Sequence, residues 1–502
     1  VDRVSATETH ISVLVFVGDR VYKARKPVRT PFLDFSTRAL RQADCRREVA
    51  LNRRLAPDVY LGVLDVVDEQ GDPVDHVVVM RRLPDHRRLS ALICAEDFDE
   101  RQLLQVARRL AAFHEAAERS PEIEHAGSVE HLTMLWTTNL DETEQYRGGL
   151  LDAGAHARVR RLALEYLDGR HGLLARRVAQ GRIVDGHGDL LAEDIFCLDD
   201  GPRILDCIQF DPTFRYGDVL YDTAFLAMDL EHLGRPDLAR RFLDAYREHT
   251  AETHPSSLEH WYIAYRALVR AKIACLRADG GDPWARAEAA AFLAQAARHL
   301  DDAQVHLVLV GGLPGAGKST VAAGVAEHLD WDLLRSDLVR RELAGDQPLR
   351  HRYARPFEGQ YAPGSTDRVY DEVLRRARVA LENGDSIVLD ASWLDPAHRA
   401  AARGLAQQTR SRMVELCCVL DPLVAEERIR ARAAHGTDPS DATPEVLAAF
   451  VARVPEVPWA GARVVDTSER PEVAVARAVG QVRPSRVRAD STPRASSSPP
   501  GR

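Results

Sequence analysis

The feature that most constrains this sequence is Gly312-Leu313-Pro314-Gly315-Ala316-Gly317-Lys318-Ser319, which follows the apolar stretch Val305-His306-Leu307-Val308-Leu309-Val310. It fits the phosphate-binding pattern G-x-x-x-x-G-K-[ST] at every defined position. The pattern requires a strand, a tight loop and a helix in that order, because consecutive backbone N–H groups must converge on phosphate oxygens. Glycines allow that convergence where a Cβ would obstruct it. Lys318 is expected to reach the β- and γ-phosphates and the Ser319 hydroxyl to ligate Mg²⁺, with Thr320 opening a helix to about Leu329. ATP and Mg²⁺ are therefore the expected ligands. Only four lysines, Lys23, Lys26, Lys272 and Lys318, stand among 67 Lys and Arg residues. Where Arg supplies the surface charge, a retained Lys is a candidate for a role needing a compact charge on a flexible stem.

The periodicity divides the chain. Strand-like hairpins come first: Ile11–Val17 with Arg20–Ala24, and Leu61–Val67 with Asp75–Arg82, separated by a helical pattern over Arg38–Leu55. Helical patterns dominate from Asp97, are interrupted by a β-like stretch from Ile183 to Cys207, and resume from Val219 to about Leu300. Beyond Asp302 strands and helices alternate. Strands are expected at Val305–Val310, Asp332–Leu334, Ser386–Leu389, Val414–Leu420 and Arg463–Val465, which predicts a parallel sheet covered on both faces. The expected domains are 1–86 and 87–300, then 301–482, with a Ser/Pro/Arg-rich disordered tail over 483–502.

The β-like stretch holds His187-Gly188-Asp189 and Asp194, then a turn at Asp199-Asp200-Gly201-Pro202 and Ile204-Leu205-Asp206. An Asp in a loop suits a proton acceptor for an attacking hydroxyl. Two further carboxylates around a hairpin suit Mg²⁺ against ATP phosphates. Here the chain resembles the aminoglycoside-phosphotransferase-like kinases, whose loop reads H-G-D-x-x-x-x-N. Phe210-Asp211-Pro212 and Gly217-Asp218-Val219-Leu220-Tyr221-Asp222 are similar to the acidic run that follows the metal Asp in that superfamily. The resemblance implies a two-lobed, protein-kinase-like domain with Asp189 as base, Asp194 and Asp206 as metal ligands, and Asp218 as a brace for the loop. Asp194 departs from the pattern, since the family has Asn there. In the amino-terminal part Lys23, with Lys26 as its rival, and Glu48 are candidates for the ion pair that positions ATP phosphates. Lys272 has no such company and is expected to be solvated.

In the alternating half, Asp337 follows the second expected strand and Asp390 ends the third, at the sheet edge where such folds bind ligands. Asp390 resembles a Walker B acid that holds the metal, or a substrate-side carboxylate. Asp337 is similar in position to the general base of phage-type polynucleotide kinases and related small P-loop kinases. Arg340 and Arg399 are candidates to hold an anionic acceptor or to steady the transferring phosphoryl group. Arg428 and Arg432 share a helix face at i,i+4 and lead into a polar segment, His435 to Ala442, that resembles the lid of those kinases. As a whole the chain resembles bacterial two-domain proteins that join an aminoglycoside-phosphotransferase-like domain to an AAA-type P-loop kinase.

The expected function is phosphoryl transfer from ATP to the hydroxyl of a small molecule. A first domain that only binds or regulates, a polynucleotide 5′-kinase and an AAA mechanochemical ATPase are the rivals. The net charge of −9 argues against a nucleic-acid partner. No apolar run reaches the roughly 18 residues of a membrane helix. Seven cysteines without C-x-x-C suggest neither a disulfide nor a zinc framework. With no secretory leader at Val1-Asp2-Arg3, a cytoplasmic location is expected. Neither the acceptor nor the oligomeric state is legible.

Overall fold

The computed structural model describes residues 4–9, 11–29, 34–95, 98–344, 363–435, 443–453 and 457–483. The expected tail from Pro484 and most of the expected lid, Gly436–Ala442, lie outside them. The chain divides into two compact units, Val1–Gln304 and Val305–Arg502.

The first unit opens with five antiparallel strands, β1 (Val4–Glu8), β2 (Ser12–Val17), β3 (Arg20–Arg25), β4 (Tyr60–Val67) and β5 (Pro73–Arg81), ordered β1-β2-β3-β5-β4. β1 has no counterpart in the sequence reading. All five of its residues are exposed, so it carries no alternation of burial to detect. The helix Arg38–Asn52 starts where the Thr37 side chain accepts the Leu40 N–H. It buries Cys45 and Val49 against Val21, Val78 and Met80 of the sheet, and the same face carries Glu48 inward. The helix stops three residues short of the expected Leu55.

A helical lobe follows, beginning with Glu100–Ala116, whose apolar stripe of Leu103, Val106, Ala107 and Leu110 is buried. The interruption consists of two small ribbons. β6 (Ile183–Asp185) pairs with β9 (Tyr216–Asp218), and β7 (Ile195–Leu198) with β8 (Gly201–Ile204). Helices Val219–His232, Pro236–Thr250, Ser256–Asp279 and Ala285–Asp302 complete the unit. The unit thus joins an antiparallel sheet to a helical lobe. Lys272 is not simply solvated: its Nζ lies 2.7 Å from Glu142 across two helices.

The second unit is a parallel sheet of β10 (His306–Gly312), β11 (Asp332–Arg335), β12 (Ile387–Asp390), β13 (Arg412–Val419) and β14 (Arg463–Asp466), ordered β11-β12-β10-β13-β14. Every residue of β10 is buried, as a central strand between two parallel neighbours must be. Val308 and Val310 pack with Val321, Val325, Val414 and Leu416. That core anchors the helix Lys318–Leu329, which begins directly after the phosphate-binding loop.

Candidate functional site

In the second unit the loop 312–319 leaves the carboxyl end of the central strand. Gly315 has φ +81°, and a Cβ there would lie 2.6 Å from the Ala425 carbonyl, so only glycine fits. A Cβ on Gly312 would likewise run into the Cys418 carbonyl. The loop is tied down by backbone bonds: Gly312 N–H donates to Ser392 O at 3.0 Å and Ala316 N–H to Leu313 O at 3.2 Å. Thr467 Oγ1 donates to Ala316 O at 2.9 Å. Leu313 packs on Ala425, Ile429 and Leu447, and Pro314 is buried. Gly317 occupies the helix cap with φ 78°, Ser319 is half-buried in the first turn and Thr320 is exposed. The Lys318 ammonium donates to Leu313 O at 3.0 Å, folded over its own loop. A glycine cradle closed by an ammonium at a helix N-terminus fits a polyphosphate.

Asp337 lies in the first turn of the helix Ser336–Ala344, just past β11. Burial raises its pKa. Arg340, Lys318 and Arg335 counter that rise, while Asp390 adds to it. Asp390 ends β12, is buried, and takes an ion pair from Arg335 at 3.2 Å. Arg335 was not anticipated, although its register opposite Asp390 on the adjacent strand follows from the parallel pairing.

Arg399 corrects an expectation. Its guanidinium is buried, donates to Trp393 O at 2.6 Å and stacks 4.8 Å from the Trp459 ring. It therefore braces the segment after Asp390 rather than presenting a charge to an acceptor. Trp393 itself sits at φ 51°, a strained conformation for a bulky residue. Arg428 donates to Thr467 O at 3.0 Å, which ties it to the residue holding Ala316. The Arg432 side chain lies outside the described residues.

In the first unit the hairpin folds Asp206 back onto the loop. Leu205 N–H donates to Asp194 O at 3.0 Å, and Ile208 N–H to His187 O at 3.2 Å. His187 Nε2 meets Leu205 O at 3.0 Å. Asp206 has φ 63°, a strained backbone for a residue other than glycine. Lys23 Nζ bridges Glu48 Oε1 at 2.8 Å and Asp206 Oδ1 at 3.3 Å. Burial would drive the ammonium down, but Glu48 and Asp206 hold its pKa above the ordinary value. Lys26 pairs instead with Glu8 at 2.5 Å.

The three carboxylates differ. Lys23 holds Asp206 below the usual carboxylate range. Asp189 is pushed up to about 6, chiefly by burial, with Arg270 and Arg266 pulling against the charges of Asp206 and Asp229. Asp194 is pushed well above its ordinary value by burial and then by Asp206 and Asp189. Asp194 therefore lies among like charges. Among the described residues no three His, Cys, Asp or Glu side chains form a metal cage by themselves. Mg²⁺ in kinase sites takes one or two carboxylates together with phosphate oxygens and water. Asp194 and Asp206 suit that smaller demand, as do Ser319 and Asp390 in the other unit.

The brace of the loop His187–Asp189 is not Asp218. That carboxylate is held by Arg177 at 2.7 Å and caps the helix it precedes. Asp222, one turn on, accepts the N–H groups of His187 at 2.7 Å and Gly188 at 2.9 Å, and meets His114 Nε2 at 3.2 Å. Sequence reasoning also passed over Arg25. Its guanidinium binds Asp44 at 2.7 Å, Ser12 Oγ at 2.7 Å and the second oxygen of Glu48 at 2.5 Å. The signal was present, because residues two apart in a strand share a face and Arg25 follows Lys23 at that spacing.

Comparison with known proteins accords with both halves. The family model described as "AAA domain" matches residues 307–457. A choline/ethanolamine kinase family protein from Mesorhizobium loti is 16% identical with a TM-score of 0.38, covering 60% of this chain and 92% of that one. A cytidylate kinase of Natronomonas pharaonis is 34% identical over 95 residues, 18% of this chain and 47% of its own length. The molecule is a two-unit protein whose second unit matches the AAA domain model. It belongs to the same family as the uncharacterized protein Rv2004c of Mycobacterium tuberculosis H37Rv, to which it is 42% identical over 478 residues, 95% of this chain and 94% of the other. No helix among the described residues is long and apolar enough to cross a membrane.

Proposed function

We propose that the protein is an ATP- and Mg²⁺-dependent phosphotransferase acting on the hydroxyl of a small molecule, with one nucleotide site in each unit. The observation that carries this reading is the cradle of Gly312–Ser319, closed by Lys318 and flanked by Asp337 and Asp390. In the second unit Asp337 takes the proton of the acceptor hydroxyl as its oxygen bonds to the γ-phosphorus. The bond from that phosphorus to the β–γ bridging oxygen breaks, and ADP leaves. Lys318 and the loop N–H groups neutralise charge on the phosphates, while Arg340 faces the same centre. In the first unit Asp189 is the base and Lys23, fixed by Glu48, positions the phosphates. Mg²⁺ held by Ser319 and Asp390, or by Asp194 and Asp206, supplies further neutralisation of phosphate charge.

The test is nucleotide stoichiometry and turnover on the full chain. Calorimetry with ATP analogue and Mg²⁺ should find two sites in the parent and one in Lys318→Ala. ADP release should be stimulated by at least one alcohol from a panel of sugars, nucleosides and hydroxy acids, and removing one backbone-preorganised charge donor typically costs about 10²–10³ in rate. Unchanged stoichiometry and unchanged turnover in Lys318→Ala would overturn the reading.

A further inference from the structure

The buried arginines of the first unit are, as a rule, matched. Arg25 holds Asp44 and Glu48, Arg177 holds Asp218 and Glu252, and Arg215 holds Asp185, at 2.5–2.7 Å. Arg266 and Arg270 break that rule. They stand one turn apart on the helix Ser256–Asp279, a spacing at which like charges repel. Among the described residues no carboxylate forms an ion pair with either. Arg266 is 3% exposed, and its Nη2 has no hydrogen-bond partner. Its Nε donates to Tyr221 O at 3.0 Å, and its guanidinium carbon lies 3.3 Å from the Tyr221 ring centroid and 4.4 Å from that of Phe225. Arg270 is half-buried, with the Phe292 ring 5.9 Å away.

Their position ties them to the catalytic loop. Tyr221 and Phe225 belong to the helix Val219–His232, whose Asp222 holds His187 and Gly188 and whose Asp229 accepts the Ala192 N–H at 2.8 Å. That stretch of helix underlies the loop containing Asp189. The charges of both arginines reach Asp189, and that of Arg270 reaches Asp229 as well. Aromatic stacking accounts for the stem of Arg266. It explains neither the unpartnered Nη2 nor a second cation one turn away. A buried donor without a partner is costly, and two adjacent cations become favourable once an anion bridges them.

We propose that Arg266 and Arg270 bind the oxyanion of the first unit's acceptor, so that this unit phosphorylates an alcohol that carries a phosphate or carboxylate rather than an amine. The proposal rests on the reading of the first unit as a phosphotransferase and specifies its substrate class. The acceptor's anionic group lies against the arginines, and its hydroxyl meets Asp189. The two cations also help to keep Asp189 ionised beside a negatively charged substrate.

The experiment uses the full chain carrying Lys318→Ala, saturated with a non-hydrolysable ATP analogue and Mg²⁺. Glycerol 3-phosphate and glycerate are titrated as the two anionic probes, with ethanolamine and choline as cationic counterparts. At least one acid should bind saturably, and which acid binds distinguishes a phosphate from a carboxylate. Arg270→Gln, at a half-buried position without an ion pair, should weaken that binding roughly ten- to hundredfold, the usual worth of a hydrogen bond to a charged group. Arg270→Lys should recover part of it. The proposal is overturned if neither acid binds, if Arg270→Gln leaves acid binding unchanged, or if an amine binds more tightly than both acids. Nucleotide binding is read in the same titration. Its absence counts against the phosphotransferase reading, whereas acid binding that depends on Arg270 is scored separately.

Discussion

In the second unit the ammonium of Lys318 rests on a carbonyl five residues away. In the first, Lys23 reaches Glu48 and Asp206 across 25 and 183 residues. One site takes its positive charge from a contiguous loop at a helix N-terminus, and its carboxylates from the ends of adjoining parallel strands. The other assembles it from side chains on a sheet, a helix and a hairpin. The loop of the second site is fixed by backbone bonds such as that from Gly312 to Ser392, which involve no side chain. The loop of the first is held largely by side chains, among them the carboxylates of Asp222 and Asp229. A site built from backbone is robust to substitution around it, whereas a site built from distant side chains depends on each of them.

The largest effects should come from the two bases. Asp189→Asn and Asp337→Asn each keep the shape and remove the proton acceptor, and each should lower ADP release in its own unit by about 10²–10⁴-fold. Their pH profiles sharpen the comparison. A base works only when deprotonated, so with its pKa near 6 the rate dependent on Asp189 should fall about tenfold per pH unit below that value. Asp337 is also raised by burial, so its acid limb should lie above the range of an ordinary aspartate. Measuring each limb in the variant that lacks the other base separates them. A single limb that neither substitution shifts would break the assignment of one base to each unit.

Next in size is the brace. Burial would raise the Asp222 carboxyl, but hydrogen bonds from His114 and the His187 N–H outweigh it and leave the pKa well below its ordinary value. A depressed folded pKa contributes stability that is fully present above the unfolded value of about 3.9 and is lost as pH falls through the folded one. Asp222→Asn should therefore cost about 1.5–3 kcal/mol at neutral pH, with the deficit narrowing in acid, as read by urea unfolding of the first unit. A deficit that stays constant from pH 7 to pH 3 would show that packing around Asp222, not its charge, holds the loop.

The same contrast explains what the sequence disclosed. The parallel sheet of the second unit was legible, because an apolar run followed by a glycine loop fixes both the strand and the helix. The placement of Asp337 and Asp390 at strand ends, where ligands of such sheets gather, was legible too. Arg399 misled, since a chain rich in arginine gives no local sign of which guanidinium stacks on Trp459 and which meets solvent. In the first unit the loop and hairpin were legible from their motif and turn. Its charge network was less so: Asp218 and Asp222 lie one helical turn apart, and only the packing of Arg177 and His114 decides which carboxylate faces the loop. The strand β1 left no trace, since neither of its faces is buried.

The smallest effect, and the one that most directly tests whether the two sites are alike, concerns Asp194. Its carboxyl is pushed up by burial and by the negative charges of Asp206 and Asp189. If Asp194 helps to hold Mg²⁺, Asp194→Asn keeps an oxygen ligand and removes the surplus charge beside the phosphates. ADP release by the first unit should then be preserved or raised, by less than about tenfold, since each pKa unit relieved corresponds to a factor of ten. The variant should also bind the ATP analogue and Mg²⁺ at least as tightly as the parent. The opposite result is equally informative. If neither Asp194→Asn nor Asp189→Asn alters any turnover, while Lys318→Ala abolishes all of it, catalysis belongs to the second unit alone. The first would then bind or regulate through a kinase-like site that retains its lysine bridge without performing transfer.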